Sequence, residues 1–240
     1  MPTRFAMTNA WTYRRADRAG IVELASWRGA GSLGLRPHFH DEAQIVLVLS
    51  GSRAFRINGA TVTVPAGHAA LIPAGLLHAP IPTADAETVC LNAYLPASRA
   101  CSSLRVMRAG NRWRSVDEIS AEHIREIADD ILSQAPSSPA GYTDRAKLGV
   151  ALTESAEPIG DIAAGLGRSR EGFSRLVRRE LGVAPHAFRL LARLNLARQL
   201  LRAGEPIAAA AADAGFSDQS HLTRLFRGTF GTTPGVYWRD

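Results

Sequence analysis

Short apolar runs alternate with turn residues along the first hundred positions of the chain. Residues 44–49 form an apolar run rich in β-branched side chains, and the runs at 54–57 and 60–64 flank Asn58 and Gly59. Asn-Gly between two such runs predicts a hairpin, because a type I′ turn needs positive φ at both central positions. Two Pro-Ala-Gly segments mark further turns. Several short strands with frequent turns favour a β-sandwich or barrel.

The hydrophobic pattern becomes helical from about residue 116. Apolar side chains recur at helical spacing with charged residues between them: Ile124, Ile127, Ala128, Ile131 and Leu132. This amphipathic helix has two interpretations, packing against the β-rich part of the chain or forming a dimer seam. Residues 133–141 are rich in Ser, Pro and Ala and are typical of a linker. After residue 143 the pattern predicts helices joined by short turns.

An internal repeat is the most informative feature of this helical half. Residues 159–186 and 207–235 match at an offset of about 48 residues, with one extra residue in the second copy. Each copy begins with a short Ala-rich helix that ends at a glycine, followed by Ser169 or Ser217 as the expected N-cap of a second helix. A helix from about residue 185 to 203 joins the copies and spans roughly 27 Å. That length is comparable to one DNA turn, roughly 34 Å.

The second helix of each copy has an apolar stripe and a polar face. The predicted buried positions are Phe173, Leu176, Val177 and Leu181 in the first copy, and Leu222, Leu225, Phe226 and Phe230 in the second. Helix, glycine turn and helix make the helix-turn-helix pattern, in which the second helix enters the major groove. The polar faces have two interpretations, a solvated surface or base contacts, and the repetition favours base contacts. Arg pairs with guanine, Gln with adenine, and Ser or Thr with several base edges.

At this point the sequence resembles the AraC/XylS family of bacterial transcription regulators. The resemblance covers about residues 144–240 and is strongest over residues 214–239, AGFSDQSHLTRLFRGTFGTTPGVYWR. It implies a seven-helix domain with two helix-turn-helix units. The predicted DNA-contacting residues are Arg170, Glu171, Ser174 and Arg175 in the first unit, and Gln219, Ser220, Thr223 and Arg224 in the second. Gly172 lies inside the first of these helices, at an expected cost of about 1 kcal/mol.

Three histidines in the β-rich half are candidate ligands. His38 and His40 are expected on one face of a strand, and His78 follows a later turn. They have three interpretations: fold-keeping or exposed residues at a barrel mouth, the lining of a pocket for a small organic effector, or ligands of a divalent metal. The pattern resembles the cupin superfamily and the cupin-like sensor domains joined to AraC-type domains. Gln44 stands where metal-binding cupins usually have glutamate, and Glu42 would substitute only after a register shift.

Composition excludes several classes of protein. The 240 residues are 46% hydrophobic with a net charge of +6, and no apolar run approaches the roughly 18 residues that a membrane span needs. The N-terminus has no apolar signal segment, so a cytoplasmic location is expected. Cys90 and Cys101 match no zinc motif. They are expected as free thiols, with a redox or metal-sensing role as the alternative.

The sequence therefore predicts an α+β protein of two domains. We expect a cupin-like β-barrel of the jelly-roll type with an N-terminal arm over residues 1–115, an amphipathic helix and linker over 116–143, and an all-α double helix-turn-helix domain over 144–240. Within the arm, Trp11 and Tyr13 are expected either to close over the pocket or to belong to an edge strand. The predicted function is ligand-responsive transcription regulation without enzymatic activity.

The expected partners are double-stranded DNA, a small-molecule effector and a second copy of the chain, with RNA polymerase as a further candidate. No cofactor is required, and a divalent metal at His38, His40 and His78 is the candidate. The same three histidines with Gln44 form the candidate effector site. Two alternatives remain: a metal-dependent cupin enzyme fused to a DNA-binding domain, and an architectural DNA binder.

Overall fold

Nine strands build the N-terminal part of the protein, within the residues that the structure describes. These residues are 11–18, 20–30, 34–96, 104–109, 115–133, 141–155 and 157–237 of a computed structural model. The strands are β1 (Trp11–Arg18), β2 (Ile21–Gly29), β3 (Ala43–Ser50), β4 (Ser52–Ile57), β5 (Ala60–Pro65), β6 (His68–Ile72), β7 (Ala79–Ile81), β8 (Thr88–Leu95) and β9 (Arg105–Arg108).

The strands pair into two antiparallel sheets. One sheet has the order β1-β2-β8-β3-β6-β9 and the other β5-β4-β7. Side chains of both sheets meet in one buried cluster that includes Trp27, Val46, Phe55, Val64 and Tyr94. The result is a jelly-roll-like sandwich, and it confirms the cupin-like fold class expected from the turns and short strands. 

The hairpin predicted at Asn58-Gly59 is confirmed. Ile57 pairs with Ala60 across a two-residue loop, and φ is 51° at Asn58 and 81° at Gly59. Both angles lie in the left-handed region that a type I′ turn requires, which asparagine and glycine tolerate better than other residues.

The continuous apolar run of β3 is explained by burial on both faces of the sheet. Ile45 and Leu47 belong to the cluster covered by helix α1 (Ala121–Ser133), whereas Val46 and Val48 face the second sheet. Side chains alternate between faces along a strand, so a strand that is covered on both sides needs apolar residues throughout. The structure thus places the apolar face of α1 on the sheet of the same chain, which is the packing alternative.

Seven helices form the C-terminal part of the chain, counted over the described positions. They are α2 (Gly141–Thr153), α3 (Ile159–Gly165), α4 (Arg170–Leu181), α5 (Pro185–Ala203), α6 (Ile207–Asp213), α7 (Gln219–Phe230) and α8 (Pro234–Tyr237). The long connecting helix is confirmed at the predicted bounds. It begins with Pro185 in its first turn and ends at Gly204, whose φ is 95°, and both residues are typical of these helix ends.

The helical part lies against the β-sandwich through buried contacts of α5. The ring of Phe188 stacks on that of Phe39, with 4.8 Å between the centroids. The side-chain amide of Asn195 donates a hydrogen bond of 3.0 Å to the carbonyl oxygen of Phe39. Phe39 is 4% exposed and belongs to the helical core cluster. The segment before β3 therefore anchors α5 on the sandwich.

The N-terminal arm is an edge strand wherever the structure describes it. β1 pairs with β2 at the end of the six-stranded sheet. Trp11 and Tyr13 also line a small cavity at the domain junction, and the Tyr13 hydroxyl donates to the carbonyl oxygen of Phe230 at 2.8 Å. The arm is an edge strand and also covers a cavity, because the edge strand itself forms part of the cavity wall. Residues 1–10 lie outside the described residues.

Candidate DNA-binding surface and effector pocket

The first helix-turn-helix unit consists of α3, a turn at Gly167 and α4. Ser169 caps α4, because its side-chain oxygen accepts a hydrogen bond of 3.0 Å from the backbone N–H of Gly172. The presence of glycine at position 172, inside the helix, has a local reason. A Cβ there would lie 3.1 Å from the Ser169 hydroxyl oxygen. A side chain would crowd the cap. The helix ends at Gly182, with φ of 83°.

The second unit repeats this geometry with α6, a turn at Gly215 and α7. Its cap differs from the prediction, because Asp218 rather than Ser217 precedes the helix. The Asp218 carboxylate accepts a hydrogen bond of 2.7 Å from the backbone N–H of His221. The extra residue in this copy moves the helix start by one position, and Ser217 Oγ instead lies 3.0 Å from the His221 ring nitrogen.

The polar faces of α4 and α7 remain open on the surface. Of the eight predicted contact residues, six are exposed and two are half-buried; the exposed ones are Arg170, Glu171, Arg175, Gln219, Ser220 and Arg224, and the half-buried ones are Ser174 and Thr223. The opposite faces bury the predicted apolar stripes, with Leu176 only half-buried. Each helix is thus oriented with its polar face toward solvent by its own hydrophobic packing.

A hollow lies along the polar face of α7. Its volume is about 640 Å³, and Gln219, Ser220, Thr223 and Arg224 line it together with Arg227. These side chains include two guanidinium groups, an amide and two hydroxyls. All of these groups hydrogen-bond to base edges or phosphates, so the concave face suits a nucleic-acid backbone and its groove.

The three candidate histidines meet at one buried place. His38, His40 and His78 are 5%, 3% and 2% exposed, and one ring nitrogen from each lies within 4.8 Å of the others. The first two precede β3 instead of starting it. His38 pairs with His78 through two backbone hydrogen bonds of 2.9 Å in an isolated bridge. That bridge brings residues 40 positions apart into one cluster.

Burial keeps the three imidazoles neutral. It lowers the pKa of His78 to about 4. It also lowers the pKa of His38 and of His40 well below the ordinary value, aided by His78 for the former and by Arg198 for the latter. His38 Nδ1 lies 2.8 Å from the carbonyl oxygen of Arg36. His78 Nδ1 lies 2.9 Å from that of Leu76.

A carbonyl oxygen can only accept a hydrogen bond, so Nδ1 carries the proton in both His38 and His78. The lone pair of each therefore lies on Nε2. Orientation of a ring through Nδ1–H is the arrangement that metal-ligating histidines use.

Gln44 lies at the cluster, whereas Glu42 does not. Gln44 is 3% exposed and lines the same cavity as the histidines, and its side-chain oxygen has no hydrogen-bond partner in the regions that the structure describes. Glu42 instead forms ion pairs with Arg202 and Arg198. Glu42 does not take the place of Gln44 at the cluster in this arrangement, because its carboxylate is engaged with α5.

The cavity between the histidines is small and closed by the second helix-turn-helix unit. Its volume is about 10 Å³, close to the minimum that one water molecule needs. Phe230, the last residue of α7, lies against it, with its ring 5.8 Å from that of His40 and 6.1 Å from that of His38. Thr229 lines the cavity as well. The histidine cavity and the second helix-turn-helix unit thus share a wall.

A buried group of ion pairs, which the sequence did not predict, joins α5 and α8 to the sandwich. The Glu23 carboxylate of β2 accepts from Arg198 at 2.8 Å, from Arg202 at 3.2 Å and from the Tyr237 hydroxyl at 2.5 Å. Glu42 pairs with the same two arginines. We call Glu23, Glu42, Arg198, Arg202 and Tyr237 the interdomain clamp. Arg198 is 1% exposed, which is rare for arginine unless it is paired.

Arg198 also connects this clamp to the histidines. Its Nη1 lies 2.8 Å from His40 Nδ1. Its guanidinium carbon lies 4.2 Å from the centroid of the Tyr94 ring. No local signal in the sequence marks this role, because α5 carries four arginines, at positions 189, 193, 198 and 202.

Two further expectations concern reactivity and membranes. Cys90 is a free, fully buried cysteine, and burial raises the pKa of its thiol to about 11. A thiol of that kind is unreactive, so Cys90 does not suit a redox sensor. Cys101 lies outside the described residues. No helix among the residues described is long and apolar enough to cross a membrane.

Comparison with known proteins defines the class to which this architecture belongs. The family model described as the AraC-like ligand binding domain matches residues 20–156, more than half of the chain, and the model described as a helix-turn-helix domain matches residues 162–240. The chain therefore belongs to the AraC-type family of transcription regulators. It combines a ligand-binding domain with a helix-turn-helix DNA-binding domain.

Curated relatives and solved structures agree with this assignment. The chain is 25% identical to the probable transcriptional regulator LumQ of Photobacterium leiognathi over 228 residues, covering 83% of this chain and 90% of LumQ. It is 41% identical to the transcriptional activator NphR of a Rhodococcus species over 83 residues, covering 34% and 24%. The crystal structure of ToxT from Vibrio cholerae, bound to an unsaturated fatty acid, superimposes with a TM-score of 0.56 at 12% identity. It covers 94% of this chain and 97% of ToxT, and it shows the shared fold.

Proposed function

We propose that this regulator binds its operator through α4 and α7, which read two successive stretches of the major groove. The observation that carries the proposal is the pair of capped helices whose polar faces are open while their apolar faces are buried. α5 separates the two units by a length of roughly 27 Å, comparable to one turn of DNA. The eight residues predicted from sequence are the proposed contacts. Arg175 and Arg224 occupy equivalent positions of the two copies and are the proposed guanine readers.

The test is operator binding by an Arg224→Ala variant. Removing a bidentate guanine contact should cost about 1–3 kcal/mol on the operator and relax specificity at one base pair. Binding to a random duplex should change little. Arg125→Ala is the matched control, because it removes the same charge from the exposed side of α1 in the sensor domain. An equal loss on both duplexes would show that Arg224 holds phosphate, and no loss on either would remove α7 from the interface.

We also propose the three-histidine cavity as the effector site, with a divalent cation as its ligand. Three neutral imidazoles are suitable ligands for zinc, nickel or copper, and the volume of about 10 Å³ suits an ion better than an organic molecule. ToxT is described as binding an unsaturated fatty acid. A molecule of that size would enter the present chain only after Phe230 had withdrawn.

The metal content of the purified protein tests this assignment. The purified protein should bind about one zinc or nickel ion per chain, and a His78→Ala variant should not. The matched control is His186→Ala, which changes an exposed histidine of α5. Equal metal content in all three proteins would remove the histidine cluster as the site.

The remaining partners are further proposals, made by resemblance to the family. We propose a cytoplasmic homodimer that presents up to four recognition helices to an operator and has RNA polymerase as a further partner. A regulator without enzymatic activity agrees with the names of the relatives, and Gln44 in the place of a glutamate ligand speaks against cupin catalysis. Light scattering of the protein with and without operator DNA tests the dimer, which should have twice the mass of one chain.

A further inference from the structure

His40 is held in a tautomer that its two neighbours do not share. Its Nδ1 lies 2.8 Å from Arg198 Nη1. A guanidinium group has only donors, so His40 Nδ1 must accept this hydrogen bond. A nitrogen that accepts carries no proton, so the ring proton of His40 is on Nε2. That atom is buried and has no hydrogen-bond partner within the described part of the chain.

This tautomer is incompatible with metal ligation at the cluster. A metal binds the lone pair of an imidazole nitrogen, and His40 Nε2 carries a proton while Arg198 donates to Nδ1. His38 and His78 have the opposite tautomer, with the lone pair on Nε2. For His40 to become the third ligand, its proton must move to Nδ1. Two donors would then face one another across 2.8 Å, so Arg198 would have to withdraw.

Withdrawal of Arg198 would weaken the clamp that holds the two domains together. Arg198 pairs with Glu23 at 2.8 Å and with Glu42 at 3.6 Å, and the same guanidinium group donates to His40. The clamp is already incompletely satisfied, because Arg198 Nε is buried and finds no hydrogen-bond partner among the described residues. Entry of a metal ion into the cavity would also require the helical domain to move, because Phe230 of α7 closes the cavity.

We propose that divalent-metal binding at His38, His40 and His78 and docking of the helix-turn-helix domain exclude one another, with Arg198 as the residue that couples them. The inference rests on the metal site proposed above and adds its regulation. Metal would release α7 and α8 from the sandwich and leave the two recognition helices free to reorient. Coupling of this kind is reciprocal, so any change that weakens docking must raise metal affinity by the same factor.

The experiment measures cobalt(II) affinity by its visible absorption and domain docking by small-angle X-ray scattering, both on the full chain. Cobalt should increase the radius of gyration of the wild-type protein as it saturates the site. Tyr237→Phe removes one hydrogen bond to Glu23 without touching the histidines, and it should raise cobalt affinity by about tenfold through weaker docking. Glu87→Gln is the control, because it breaks an exposed ion pair with Arg28 on the same domain, and its cobalt affinity should equal that of the wild type.

A second variant tests the tautomer itself. Arg198→Gln places an amide near His40 whose oxygen can accept from Nδ1–H, so it should favour the ligating tautomer. Its cobalt affinity should rise at least tenfold, and scattering should show a larger apo protein.

Each outcome decides between the two proposals. Equal cobalt affinity in the wild type, Tyr237→Phe and Arg198→Gln, with unchanged scattering, would overturn the coupling and leave the metal site. No cobalt binding in any of them would overturn the metal site and the coupling together. Operator binding through α4 and α7 is measured independently by the Arg224→Ala test and is unaffected by either result.

Discussion

Replacement of Glu23 by glutamine is the sharpest test of the interdomain clamp. Glu23 is 2% exposed and accepts three hydrogen bonds, from Arg198, Arg202 and Tyr237. Glutamine keeps the shape of the side chain, but it removes the charge and turns one acceptor oxygen into a donor. That donor would face groups that are themselves donors.

The expected magnitude follows from the burial of Arg198. Removing one partner of a buried ion pair typically costs about 3–5 kcal/mol, because the remaining charge is left uncompensated. Glu42 still lies 3.6 Å from Arg198, so we expect a value of about 3 kcal/mol. For a chain of this size each kcal/mol corresponds to about 2–4 °C, which gives a fall of about 6–12 °C in the unfolding midpoint.

Differential scanning calorimetry measures this effect and tests its origin. If the clamp holds the domains together, Glu23→Gln should also separate the unfolding of the sandwich from that of the helical domain. Glu87→Gln provides the comparison, because its ion pair with Arg28 is on the surface and pairs of that kind contribute little. A midpoint that falls no further in Glu23→Gln than in Glu87→Gln would refute the reasoning.

Three further predictions concern caps, histidines and close contacts. Ser169→Ala should lower the free energy of unfolding by about 1 kcal/mol in urea titrations, whereas Ser217→Ala, which removes no cap, should change it much less; equal losses would contradict the assigned caps. In chelator, the unfolded chain takes up a proton between pH 6.5 and 4 that His78, with its pKa lowered to about 4, does not. His78 alone should therefore lower the free energy of unfolding by about 3 kcal/mol as the pH falls through this window. His38 and His40, whose pKa values are also lowered, add to this loss. His78→Leu should reduce the slope by the share of His78; an unchanged slope would exclude a neutral His78. Gly231→Ala should destabilise the protein more than Gly167→Ala in thermal unfolding. Both positions have positive φ, but only a Cβ at Gly231 would meet the indole ring of β1, at 2.6 Å; equal midpoints would contradict that contact.

Local signals explain what the sequence predicted correctly. The hairpin at Asn58-Gly59 and the bounds of α5 depend on turn chemistry, on Pro185 at the helix start and on Gly204 at its end, all of which are readable within a few residues. Repetition supplied the two helix-turn-helix units. Where two good capping residues are adjacent, local signals fail, and the N-cap was assigned to Ser217 although Asp218 takes that role.

The clamp could not be predicted because its partners are far apart in sequence. Arg198 and Glu23 are separated by 175 residues, and on α5 the arginine has no feature that distinguishes it from a solvated one. The histidine cluster was within reach, since His38 and His40 carry a recognisable spacing. What the spacing could not reveal is that α5 supplies a hydrogen-bond donor to one of them.

The position of α7 means that the β-sandwich and the DNA-binding domain of this regulator cannot be exchanged independently of one another. Its 12 residues extend about 18 Å, with Gln219 at the end proposed to face DNA and Phe230 at the end that closes the histidine cavity. A chimera made by joining this sandwich to another DNA-binding domain at the linker would change operator and sensor response together. The graft would keep its response only if the incoming domain brought its own equivalents of Phe230 and Arg198. Operator specificity is better altered by substitutions in the first two turns of α7 than by exchange of the whole domain.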